Sequence, residues 1–160
     1  MSVDPISPPP RPLPALLTEV KVAAIDKLRS RLAELGHPAI REGHGCVFGF
    51  IDMEHGSRLT DLAGSSGFTK QAVGEAVTEL ERLGYVERLP DPADGRAKII
   101  KLTELGMDAS LKGRRVFAEI EAEWAEQLGS ELLAKFREAA TRIAALEGAA
   151  VDARGRRSAA

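Results

Sequence analysis

Residues 59–102 read LTDLAGSSGFTKQAVGEAVTELERLGYVERLPDPADGRAKIIKL. The stretch divides into a short helix, a tight turn, a longer amphipathic helix, and two short strands joined by a charged loop. Leu62 and Ala63 belong to the first helix, which Thr60 is placed to cap. Gly67, four residues after Ala63, has the backbone freedom that a sharp turn between helices requires. The second helix opens at Thr69, a good N-cap, and runs to about Leu83, where Gly84 ends it. Val73, Ala76, Val77 and Leu80 fall on one stripe of that helix, leaving Lys70, Gln71, Gly74 and Glu75 on its open side.

Any helical hairpin needs a turn and two apolar faces, so the residues that follow narrow the fold. Tyr85–Leu89 and Lys98–Leu102 suit strands. Between them PDPADGRA (90–97) carries two prolines, two aspartates and a glycine, and must turn. The expected fold is mainly α with a small β-hairpin wing, a winged helix-turn-helix. The main known use of that arrangement is to place one helix in a DNA groove.

The stretch resembles the MarR family of winged-helix transcriptional regulators in LTDLA (59–63), TKQAV (69–73), LERLGYVER (80–88), DPADGRA (91–97) and LTELG (102–106). These motifs stand in the family's order and spacing, and the flanking helices match in pattern. The resemblance implies a sequence-specific DNA-binding regulator, a homodimeric repressor of a palindromic operator relieved by a small molecule. It also implies site residues. Ser65, Ser66, Thr69, Lys70 and Gln71, around the start of the second helix, would read base edges in the major groove. Arg96 on the wing would reach the minor groove, oriented by Asp94, with Lys98 a further DNA contact on the returning strand. Gly95 stands where many members have a second arginine, which implies one phosphate contact fewer and a more mobile wing tip.

The chemistry suits those roles. Glutamine pairs bidentately with adenine, lysine donates to guanine, and hydroxyls adapt to either. A helix N-terminus offers N–H groups to phosphate, and an arginine on a thin hairpin suits a narrow minor groove. Net charge lends little support. From Arg58 to Lys101 seven basic residues meet seven acidic ones, and the whole chain is formally −2. Binding to DNA must then depend on where charge sits, with Glu79 and Glu81 facing away. A near-neutral balance also suits an alternative, a winged-helix module that binds protein through the same helix without specific DNA binding.

At 160 residues, 44% hydrophobic and 29% charged, the chain has the size and composition of one globular domain. Residues 13–148 are expected to form it, with a winged-helix lobe over about 39–102 and dimerisation helices over about 13–35 and 103–148. Leu13, Leu17, Val20, Ala24, Leu28, Leu32 and Leu35 repeat at helical steps until Gly36-His37-Pro38. Thr103 is placed to cap a later helix carrying Val116, Ile120, Trp124 and Leu128. Gly129 breaks it, and Ser130 caps another with Leu132, Phe136, Ala139, Ile143 and Leu146. Apolar stripes this long call for a partner, and in the MarR family the first and last helices of two chains interlock into a two-fold dimer. Residues 1–12 are proline-rich and 149–160 polar, and both are expected to be disordered, with Arg154, Arg156 and Arg157 in a solvated tail. No segment has the length to cross a bilayer, and a single cysteine fits a reducing compartment, so a cytoplasmic protein without membrane contact is expected.

REGHGCVFGFIDMEHGS (41–57) is the least ordinary local sequence. It stands where a helix should precede the helix-turn-helix, although Gly43, Gly45 and Gly49 are poor helix formers. His44, Cys46 and His55 point in different directions on a helix and form no metal-ligand spacing, so no metal site and no cofactor is expected. Cys46, beside Val47 and Phe48, reads as a buried, inert thiol. Some MarR-family repressors bind aromatic anions between the dimer helices and the DNA-binding lobe. The corresponding walls here are His37, Arg41, His44, Phe48 and Trp124, a set suited to an aromatic or anionic effector. No hydrolase elbow, Walker loop or HExxH is present, so no catalytic residue is expected and the chain is not read as an enzyme.

Overall fold

The structure, a computed structural model, describes residues 10–158, with side chains as far as 148. Of the expected N-terminal segment only residues 10–12 fall within it, and the side chains of Arg154, Arg156 and Arg157 lie outside the described residues. In order, the elements are α1 (Leu13–Glu34), a 3₁₀ turn (Glu42–His44), α2 (Gly45–Phe48), β1 (Ser57–Arg58), α3 (Leu59–Ser66) and α4 (Lys70–Arg82). Then follow β2 (Val86–Asp91), β3 (Asp94–Leu102), α5 (Glu104–Leu128) and α6 (Ser130–Ser158). The fold is mainly helical with one small antiparallel sheet, as the sequence implies.

The chain divides into two compact units, residues up to 117 and residues from 118. In the first, α3 and α4 form the helix-turn-helix. Gly67 takes φ +73° between them, a left-handed conformation open to glycine. The Oγ1 of Thr69 accepts from the N–H of Ala72 at 3.2 Å, capping α4 as expected. Val73, Val77 and Leu80 are fully buried against Leu62, Val47 and Ile100, so the stripe on α4 is the centre of the core. Thr103 caps α5 by accepting from the Gly106 N–H, and its own hydroxyl donates to the Gly84 carbonyl.

Four local expectations change. Arg58, not Thr60, is the N-cap of α3; its backbone is extended, its side chain makes no cap bond, and Thr60 already lies inside the helix. The helix before the helix-turn-helix shrinks to a 3₁₀ turn and the four residues of α2, stopped at Gly49. The wing is longer than 85–89 and 98–102 suggest. Its ladder runs from Val86↔Leu102 out to Asp91↔Asp94 with an irregularity at Pro90/Asp91, so only Pro92 and Ala93 turn and Gly95 lies within β3. A third strand, β1, pairs with β3 through Ser57↔Ile100 and Arg58↔Ile99, giving the order β1-β3-β2.

In the second unit, Gly129 at φ +85° separates α5 from α6. The expected boundary at 148 is not a helix end, because α6 continues to Ser158. Leu128, Leu132, Phe136, Ile143 and Leu146 are all exposed, while Arg137 pairs with Glu121 and Arg142 with Glu138.

Candidate nucleic-acid interface and effector cavity

The open side of α4 and the wing present the residues expected to meet DNA. Ser65, Thr69, Lys70 and Gln71 are exposed at the turn and the start of α4, and Asp94, Arg96 and Lys98 are exposed on β3. Ser66 is half-buried, and its hydroxyl accepts from the Phe68 N–H at 3.3 Å, which shapes the turn. Gln71 donates to Glu75 one turn along, at 3.1 Å. Asp94 accepts the backbone N–H of Arg96 at 3.1 Å, so it sets the main chain that carries the arginine.

Between β1, the starts of α3 and α4, and the inner part of the wing lies a groove of about 380 Å³. Arg58, Thr60, Lys70, Arg88 and Lys98 line it, with Leu59, Ala97 and Ile100. Two of its cations are neutralised: Arg58 pairs with Asp91, and Arg88 with Glu81 while also donating to the Thr78 hydroxyl. Lys70, Lys98 and Arg96 have no carboxylate partner among the described residues. One acid of α4 is otherwise engaged. Glu79 receives His44 Nε2 at 3.1 Å and Arg41 at 3.3 Å, and the hydrogen bond from His44 holds its carboxyl below the usual range. A nearly neutral lobe therefore still presents unpaired cations, Lys70 and Lys98, in this groove.

The expected effector walls come together in part. A cavity of about 520 Å³ in the first unit is lined by Arg41 and Phe48. Ile25, Leu28, Leu32, Ile40 and Phe117 supply most of its apolar surface, and Arg29 and Arg114 supply two more cations. Arg29 lies 3.9 Å from Asp26, whereas Arg114 has no carboxylate partner among the described residues. His37 and His44 do not line the cavity; both are buried and occupied. His37 lies 3.3 Å from the Tyr85 hydroxyl through Nδ1 and 2.9 Å from Asp108 through Nε2. Lys112 donates to the same Asp108 oxygen and to the Leu35 carbonyl, tying the end of α1 to α5; that lysine, more than His37, holds the Asp108 carboxyl low. His44 accepts the Arg41 N–H on Nδ1 at 3.1 Å, capping the 3₁₀ turn. Trp124, half-buried on α5, belongs to the second unit.

Sequence reasoning missed Arg29, Arg114 and Phe117 because no local motif connects them; only the packing of α1 against the first half of α5 makes them neighbours of Arg41. Cys46 is buried, its thiol donates to the Gly43 carbonyl at 3.0 Å, and burial pushes its pKa up, away from the reactive thiolate. Among the described residues no three His, Cys, Asp or Glu side chains gather into a metal-holding group, and no helix is long and apolar enough to cross a membrane.

Comparison with known proteins places this geometry. Residues 42–97 match the model of the MarR family. None of the curated protein sequences is recognisably similar to the chain. Among solved structures, the reduced form of MarR from E. coli is similar at a TM-score of 0.71 and 22% identity, over 85% of this chain and 98% of that one. CouR from Rhodococcus jostii RHA1, bound to p-coumaroyl-CoA, gives 0.67 and 22%, over 84% and 92%. A MepR variant from S. aureus, bound to an oligodeoxyribonucleotide, gives 0.54 and 23%, over 84% and 96%. Residues 42–97 thus carry the sequence pattern of the MarR family across the helix-turn-helix and wing, and the fold around them is that of the MarR-type structures.

Proposed function

We propose that the protein is a homodimeric, sequence-specific DNA-binding repressor of a palindromic operator, located in the cytoplasm and released by a small anionic effector, with no catalytic role. The observation that carries the reading is the groove lined both by Lys70 at the start of α4 and by Lys98 on β3, neither with a carboxylate partner among the described residues. A helix N-terminus and a wing strand facing one groove suit a duplex phosphate backbone, with Gln71 and Arg96 left to read bases. The oligodeoxyribonucleotide on the MepR variant supports the same use of this fold. The cavity supports the effector. Its volume is that of a drug-sized ligand site, and apolar walls with Arg41 and Arg114 suit an aromatic or acyl anion. The p-coumaroyl-CoA on CouR is a ligand of that class.

The deciding experiment is selection of duplexes from random DNA by the purified protein at moderate salt. The expected product is a palindrome whose half-sites lie about one helical turn apart. A pool without any enriched palindrome would instead favour a winged-helix module that binds protein. For the effector, Gly45→Val adds a side chain to a cavity wall where a Cβ meets no atom within 4 Å, in an ordinary helical conformation. It should abolish heat on titration with p-coumarate and p-coumaroyl-CoA while leaving affinity for the selected duplex intact. Undiminished heat in that variant would remove the cavity from consideration.

A further inference from the structure

Arg58 ends β1 and is also the N-cap of α3, so its backbone belongs to the helix-turn-helix. Its side chain belongs to the wing. On the sheet Arg58 stands opposite Ile99 of β3, and Ile99 stands opposite Leu89 of β2. The guanidinium spans β3 and reaches Asp91 at the outer end of β2, donating from Nε at 2.6 Å and from a terminal nitrogen to the same Oδ2. Asp91 is buried, only 5% exposed, while Arg58 is half-exposed. The other carboxylate oxygen, Oδ1, accepts the Ala93 N–H at 2.8 Å and so closes the wing turn. One carboxylate thus shapes the turn and fastens it to the residue that starts α3.

Electrostatics alone do not account for an acid here. A carboxylate on the wing opposes DNA phosphate, and this one neutralises Arg58, a cation that lines the same groove as Lys70 and Lys98. We infer that the Arg58–Asp91 pair is a positioning strut, which holds the wing at a fixed height over α4 so that Arg96 and Gln71 engage one duplex together. The inference rests on the proposed reading of DNA by α4 and the wing. It assigns Arg58 and Asp91 a role that acts through Arg96, not through contact with DNA.

The sign of one substitution separates the strut from simple charge. Asp91→Asn makes the protein more positive, so repulsion alone predicts tighter binding. The strut predicts weaker binding, by about fivefold or more, to the duplex selected by the unaltered full chain. Arg58→Gln, on the half-exposed side, should show the same loss and serves if Asp91→Asn does not fold. Arg58→Lys, which keeps the charge and one donor, should recover part of the affinity. In an Arg96→Ala background, Asp91→Asn should change affinity by less than about twofold, because the residue it positions is gone. Fluorescence anisotropy across a salt series, with melting curves to confirm folding, measures all of these. Equal or tighter binding by Asp91→Asn overturns the strut, as does a loss that multiplies independently with that of Arg96→Ala. If the unaltered chain selects no duplex, or Arg96→Ala binds as well as it does, the DNA reading itself fails and the strut falls with it.

Discussion

At His44 the two ring nitrogens have different duties, and the difference fixes which one carries the proton. Nδ1 accepts the Arg41 N–H, so the ring proton sits on Nε2 and faces Glu79. The side chain therefore caps the 3₁₀ turn with one edge and joins it to α4 with the other. His44→Ala empties a site only 1% exposed, leaves the Arg41 N–H without its acceptor, and leaves Glu79 with Arg41 alone. The expected loss is about 1–3 kcal/mol in urea unfolding. His44→Asn, whose carbonyl can take the Arg41 N–H, should recover part of it. If both variants unfold at the parental midpoint, these bonds contribute nothing net. Sequence alone reads this residue as a ligand donor, because a histidine beside glycines and a cysteine offers no sign of its partners. Those partners, Glu79 and, for His37, Asp108 and Tyr85, lie 35 to 71 residues away in the chain.

Among the elements, the helix-turn-helix was the most legible because its signals are local and backbone-driven. Gly67 and Gly84 take the positive φ that their positions suggest, and Thr69 caps α4. The outer wing was hidden for the opposite reason. Pro90, Asp91, Asp94 and Gly95 have poor strand propensity, and they join the ladder only because tertiary contacts, including Arg58–Asp91, hold them there. The two residues of β1 are too few for any periodicity to reveal. The start of α5 is an intermediate case. LTELG belongs to the family pattern, yet the need for Gly106 is visible only in space, where a Cβ would stand 1.9 Å from the Tyr85 carbonyl oxygen. That carbonyl also accepts the Thr103 N–H, so α5 is docked against backbone that cannot yield as a side chain would. Gly106→Ala should cost about 1–3 kcal/mol or more, seen as a lowered denaturation midpoint. Thr103→Ala should cost about 1 kcal/mol through its lost cap. A neutral Gly106→Ala would mean that α5 can shift its start without penalty.

For the molecule as a whole, acid and self-association test different units. In the first unit Glu79, Asp91 and Asp108 are all held below the ordinary carboxylate range, chiefly by His44, the Ala93 N–H and Lys112 respectively. A carboxyl depressed in the folded state stabilises the fold fully above its unfolded-state pKa, and that contribution is lost as pH falls through the folded value. Stability should therefore hold down to about pH 4–5 and decline below it. Asp91→Asn should flatten part of that decline in melts from pH 6 to pH 3. The proposed self-association is tested in the second unit. Leu132, Phe136, Ile143 and Leu146 share one face of α6 and are 41–71% exposed, more apolar surface on one helix than a solitary chain leaves in water. A second copy is the partner that the proposed palindromic site would require, since each copy would supply one α4 and one wing. Leu132→Glu with Phe136→Glu places two carboxylates on that exposed face. Sedimentation equilibrium should find the parent a dimer and the double variant a monomer with the same helical content. Joining two half-site readers raises affinity for the full site by about 10²–10⁴. The double variant should lose at least 100-fold on the palindrome while binding an isolated half-site duplex as the parent does. A monomeric variant that keeps full affinity for the palindrome would show that each copy reads its half-site alone, and the dimer would have no part in recognition.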